Sequence, residues 1–130
     1  MALDIDTSEP LRGIRDLLRL VDAVYRAAPN DESRSVEWKS TLDLESKAGC
    51  FSIARTILGF SNRMPGVAAA EFGGLGYMLV GVEPDSVAGV ATIDNARLYS
   101  QVIPYVGEDG PRWAVVEVRR VQPVIATAAW

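Results

Sequence analysis

The chain has 130 residues, 48% of them apolar and 23% charged, with a formal net charge of −4. That size and balance predict one globular domain with its own core, and no apolar run approaches the ~20 residues that a membrane-spanning helix needs. The absence of histidine excludes Ser-His-Asp and Cys-His mechanisms and His-ligated zinc, and a single cysteine excludes an internal disulfide.

Any catalysis must therefore rest on carboxylates, basic side chains, hydroxyls or a metal held by oxygen. The acidic balance argues against non-specific coating of DNA, which draws its affinity from excess positive charge. Of the 13 basic residues only Lys39 and Lys47 are lysine; the rest are arginine, the better bidentate partner for phosphate. Cys50, set among Ala48, Gly49 and Phe51, reads as a small buried residue rather than a nucleophile. The acidic N-terminus lacks the basic-then-apolar layout of a signal peptide, so a cytoplasmic location is the expectation.

In chain order, residues 1–7 read as a flexible lead-in. Ser8 is placed to cap a first helix, with Glu9 and Pro10 in its first turn. Leu11, Ile14, Leu17, Leu18, Val21, Val24 and Tyr25 follow at three- and four-residue spacing, leaving Arg12, Arg15, Arg19 and Arg26 on the other faces. That arginine stripe reads as a solvated face, or as an aid in holding a phosphate backbone. Pro29-Asn30-Asp31 ends the helix.

Glu32 to Lys39 follows, crowding two acids, two bases and a tryptophan into eight positions. Read as a strand from Ser35, alternation sends Val36 and Trp38 to a core and Ser35, Glu37 and Lys39 to a surface or groove. A second helix is expected from about Ser46 to Ser61, with Phe51, Ala54, Ile57, Leu58 and Phe60 inward, Lys47 and Arg55 outward, and Asn62 at its end. Residues 63–75 read as a mobile loop, with Gly73-Gly74-Leu75-Gly76 as a turn leading into a strand. A P-loop or Rossmann turn would follow a strand and open a helix, so nucleotide binding of that kind is rejected.

Tyr77 to Val82 is a nearly continuous apolar run, the pattern of a strand buried on both faces. After a turn at Glu83-Pro84-Asp85-Ser86, Val87 to Val90 is expected to return as a short antiparallel strand. Asp94 caps a third helix with Pro104 near its end, and Trp113 to Val121 alternates as a strand. Pro123 interrupts, and Val124-Ile125-Ala126 forms an edge strand. The order predicts an α+β domain, a mixed and mostly antiparallel sheet packed by two or three helices.

Glu32, Glu37, Glu83 and Asp85 are the candidate acids for a Mg²⁺ or Mn²⁺ site, since such ions take oxygen ligands and assist phosphodiester cleavage. In an extended strand Glu32 and Glu37 would lie roughly 17 Å apart on opposite faces, so they share a metal only if the chain bends around Ser33 to Ser35. The alternative is that all four are ordinary surface acids.

Taken together, Glu32-Ser33-x-x-Val36-Glu37-Trp38-Lys39, Ile57-Leu58-Gly59-Phe60-Ser61-Asn62, Gly73-Gly74, Val80-Gly81-Val82-Glu83 and Gly89-Val90 resemble, in order, the Schlafen-type Alba-like domain. The likeness spans roughly residues 30–120. It departs at Trp38, where phenylalanine is usual, in a longer loop before Gly73, and at Pro84, where an acid is common. The resemblance implies a nucleic-acid-binding module for DNA or RNA, working as a homodimer, with Lys39, Arg34, Arg55 and Arg63 on phosphates. It also implies, as an alternative, a metal-dependent endoribonuclease with Glu32, Glu37 and Glu83 or Asp85 as catalytic and metal-binding acids. A third reading is a protein-interaction or sensor domain that docks a partner through the apolar loop Val67 to Phe72.

Overall fold

The computed structural model describes residues 3–28, 35–63, 66, 69–91, 93–119 and 122–128. Among these, three α-helices and four strands form a small α+β domain: α1 (Gly13–Tyr25), β1 (Val36–Lys39), α2 (Lys47–Ser61), β2 (Leu75–Val80), α3 (Asn95–Val106), β3 (Trp113–Arg119) and β4 (Gln122–Ala128). The sheet order is β1-β2-β4-β3. β1 runs parallel to β2, with Val36 opposite Tyr77 and Lys39 opposite Val80, whereas β2–β4 and β4–β3 are antiparallel. The expected mixed, mostly antiparallel sheet is present. No described helix is long and apolar enough to cross a membrane.

The sheet separates two apolar clusters. On one face α1 packs Leu17, Leu20, Val21 and Val24 against Val36, Trp38, Tyr77, Leu79 and Val118. On the other, α2 and α3 pack Ile53, Ile57, Phe60, Leu98 and Val102 against Met78, Val80 and Ile125. β2 is the shared wall. Its residues alternate between the clusters, and Met78, Leu79 and Val80 are fully buried, as a strand covered on both faces requires.

Two glycines allow that packing. A Cβ on Gly76 would come within 2.4 Å of the Phe60 ring, so only hydrogen fits where α2 crosses β2. Gly81 has φ +80° and lies so close to Gly89 that a Cβ would meet its Cα at 2.5 Å. The Gly81 carbonyl accepts from Gly89 N–H at 2.8 Å.

Several expectations are corrected. Ser8 does not cap α1: its N–H donates to Asp6, while the Arg12 N–H at the helix start donates to Asp16 Oδ2 at 2.8 Å. Leu3 and Ile5 pack against the α1 cluster, and the Thr7 carbonyl accepts from Phe72 N–H at 2.7 Å. Residues 87–91 form no strand; between Val82 and Val90 the ladder is reduced to a single bridge between Glu83 and Ser86. The last strand is not an edge. β4 is central, and it tolerates Pro123 because β2 pairs only from Val124 onward, so the missing N–H interrupts no bond to β2. A shift of register between Glu117 and Arg119 accommodates it on the β3 side.

The helix caps agree better with expectation. Ser46 Oγ accepts from Gly49 N–H, Asp94 accepts from Arg97 N–H, and α2 ends at Asn62, which keeps a right-handed φ of −88°. Pro104 lies inside α3, which continues to Val106. Pro29 to Arg34, expected to end the first helix and open the acidic strand, lie outside the described residues.

Candidate functional site

The alternation read from Ser35 to Lys39 is present, with a consequence the sequence did not reveal. Val36 and Trp38 join the α1 cluster, so Ser35, Glu37 and Lys39 turn toward α2. Ser35 Oγ accepts from Arg63 Nη1 at 2.7 Å, and Glu37 Oε2 accepts from the Thr56 hydroxyl at 2.7 Å. Arg63 follows the C-terminus of α2 and Ser35 precedes β1, so helix and strand run antiparallel along a polar seam. Glu37 is half-buried in that seam, and only Lys39, at its far end, is exposed. The expected surface or groove is, at Ser35 and Glu37, a joint against α2.

Arg63 is an anchor within it. Its guanidinium donates from Nε to the Phe60 carbonyl at 2.8 Å, from Nη1 to Ser35, and from Nη2 to the Gly74 carbonyl at 2.8 Å. It also lies 5.3 Å from the Phe60 ring centre. One side chain thus ties the end of α2 to the starts of β1 and β2. Burial lowers its pKa from the ordinary arginine value, and Glu71 partly opposes this. Its expected role on a phosphate gives way to this structural one.

The candidate acids do not meet among the described residues. Glu37 faces α2, whereas the turn carrying Glu83 and Asp85 hangs on the other layer, where Asp85 N–H donates to the Tyr25 carbonyl that ends α1, at 2.9 Å. Asp85 has φ +65°, a conformation that aspartate tolerates better than most residues. No group of three or more His, Cys, Asp or Glu among the described residues is arranged to hold a metal ion. Glu32 and Arg34 lie outside the described residues.

The loop before β2 also changes character. A short 3-10 turn, Phe72–Gly74, leads into β2 as expected, but Phe72 is buried, edge-on to Tyr77 at 5.1 Å between ring centres. The Tyr77 hydroxyl accepts from Leu11 N–H at 2.9 Å, and burial raises its pKa. Phe72 is therefore core rather than a docking residue, and Val67 lies outside the described residues.

What the sequence reading missed lies on the outside of α2. Phe51, expected inside, is 48% exposed; Cys50 and Ile53 occupy the buried stripe in its place. Lys47, Phe51 and Arg55, spaced by four, all lie on the outward face. Phe51 meets Tyr105 of α3 edge-on at 5.7 Å, and Tyr99 stacks on Trp113 at 5.0 Å. α2 and α3 carry Lys47, Arg55 and Arg97 but no aspartate or glutamate. Of these, Arg97 pairs with Glu45 at 3.0 Å in an exposed contact. An i, i+4 basic–aromatic–basic spacing was the available signal, once Cys50 is counted as apolar. No protein-family model matches the chain, and no curated protein matches it.

Proposed function

We propose that this domain binds nucleic acid through the side of the molecule covered by α2, with exposed Lys39, Lys47 and Arg55 on phosphates. This keeps Lys39 and Arg55 of the set that the resemblance to the Schlafen-type Alba-like domain implies and adds Lys47; Arg63 is engaged in the seam, and Arg34 lies outside the described residues. The observation that supports it is a segregation of charge. In a chain of net charge −4, α2 itself carries exposed Lys47 and Arg55 and no acid, while exposed Asp43 and Glu45 precede it, Asp94 caps α3 and Arg97 is paired with Glu45. α1 carries Arg15 and Arg19 balanced by Asp16 and Asp22, and a shallow depression of about 240 Å³ beside it is lined by Asp4, Asp6 and Asp22 together with Arg19 and Arg26. An anionic polymer is repelled least along the outward face of α2 itself, between Lys47 and Arg55.

Titration of labelled DNA and RNA across a salt series tests this. Three phosphate contacts predict a slope of log K against log salt near −2 for single strands, and Lys39→Ala should lower affinity on all sequences alike while flattening the slope by about 0.7. Undetectable affinity at low salt for both nucleic acids would sink the reading. The endoribonuclease alternative gains no support from the placement of Glu37, Glu83 and Asp85. The docking-loop alternative loses Phe72 to the core.

A further inference from the structure

We infer that the crest of α2 is a stacking platform for single-stranded nucleic acid, with the exposed Phe51 ring taking a base between the phosphate contacts of Lys47 and Arg55. This inference rests on the nucleic-acid reading above and adds which form of the polymer binds and how. The spacing carries it. Lys47, Phe51 and Arg55 follow at i, i+4 and i+8, so the two cations lie about 12 Å apart along the helix axis with the ring midway. A single strand presents both a base face and flanking phosphates to such a row, whereas a duplex hides its base faces inside the stack.

The ring is held for this use. Tyr105 meets it at 79°, edge to face, and is itself 40% exposed, so two aromatic surfaces stand at a right angle beside open solvent. Beside Tyr105 opens a pocket of about 300 Å³, also lined by Glu45, Ser46, Lys47, Cys50, Gln101 and Pro104, its one acid, Glu45, being the partner of Arg97. That is at the small end of ligand pockets, and Gln101 gives it a hydrogen-bonding amide on one wall. No described carboxylate pairs with Lys47 or Arg55, whereas Arg97 nearby is held by Glu45. Charge selects an anion, and the rings select one that carries flat bases.

The test compares short oligo(dT), oligo(U) and a DNA duplex by fluorescence anisotropy, using the wild type, Phe51→Leu and Phe51→Tyr. Phe51→Leu keeps apolar bulk but removes the π-face, and at an exposed position it leaves the fold intact, which circular dichroism checks. The expected result is tighter binding of both single strands than of the duplex, a loss of roughly 5- to 150-fold in Phe51→Leu, and near wild-type affinity in Phe51→Tyr. A preference for oligo(U) over oligo(dT), or the reverse, distinguishes RNA from DNA and supports the platform either way. Equal affinity of Phe51→Leu and wild type, or a duplex bound as tightly as the single strands, overturns the platform while leaving nucleic-acid binding in place. No binding to any of the three overturns both. A dimer that forms through Phe51 and ignores all three probes overturns them in favour of a second copy of the chain.

Discussion

The two helical layers on this sheet use arginine in opposite ways. On the α1 side the arginines alternate with aspartates, and Arg19 sits 3.3 Å from Asp16 in an exposed pair that contributes little to stability. On the α2 side one arginine, Arg63, is drawn inward to hold three chain segments together, and another, Arg55, is left exposed without an acid on its helix. Position relative to the seam with β1 separates a structural cation from an exposed one.

Core truncations should be the most damaging, and alike on both layers. Leu20→Ala under α1 and Ile53→Ala under α2, both fully buried, are each expected to cost about 2–5 kcal/mol in denaturant unfolding. If one were nearly neutral, its layer would not be packed as described. Gly76→Ala should follow at about 1–3 kcal/mol, because the new methyl must displace the Phe60 ring.

The two arginines should separate stability from binding. Arg63→Ala removes three hydrogen bonds from a charged donor and should lower stability by about 3 kcal/mol, measured by urea unfolding. Arg55→Ala should change stability by less than about 0.5 kcal/mol yet weaken nucleic-acid binding and flatten its salt slope. An Arg63→Ala protein of wild-type stability would show that the seam is not held as described.

Smaller effects concern titration. Burial raises the Tyr77 pKa, so its neutral form is favoured in the fold. Its contribution is fully present below the ordinary tyrosine value of about 10 and is lost as pH rises from there through the raised folded value. Tyr77→Phe should flatten that alkaline loss while giving up the bond from Leu11, a cost of about 1 kcal/mol at neutral pH. Burial, aided by Asp43, likewise raises the Cys50 pKa, and alkylation of this thiol should be far slower in the native protein than in urea.

Much of the frame was legible where one residue type leaves little choice. The apolar run after Tyr77 could only be a strand covered on both sides, and Ser46 and Asp94 marked helix starts because their oxygens meet free amides. The alternation of Val36 and Trp38 with Glu37 fixed which side of β1 is buried. It did not show what covers the polar side, since the Thr56–Glu37 and Arg63–Ser35 bonds join residues 19 and 28 positions apart. Ala54, Ile57 and Phe60 of the expected stripe are buried, but Phe51 was misplaced because periodicity alone admits Phe51 and Leu58, or Cys50 and Ile53, beside them. Val87 to Val90 folds back as expected, with Gly89 N–H donating to the Gly81 carbonyl, but it extends the Glu83–Ser86 bridge into no strand. The exposed aromatic between two cations emerged only when the helix was seen in place.

The most direct test reverses charge on one layer at a time. Lys47→Glu/Arg55→Glu on α2 and Arg15→Glu/Arg19→Glu on α1 change net charge equally, and oligonucleotide affinity is measured for both at low salt. The α2 pair should abolish binding, and the α1 pair should weaken it only by the modest long-range effect of added negative charge. Equal losses in both proteins, or a greater loss from the α1 pair, would contradict the assignment of the binding face to α2.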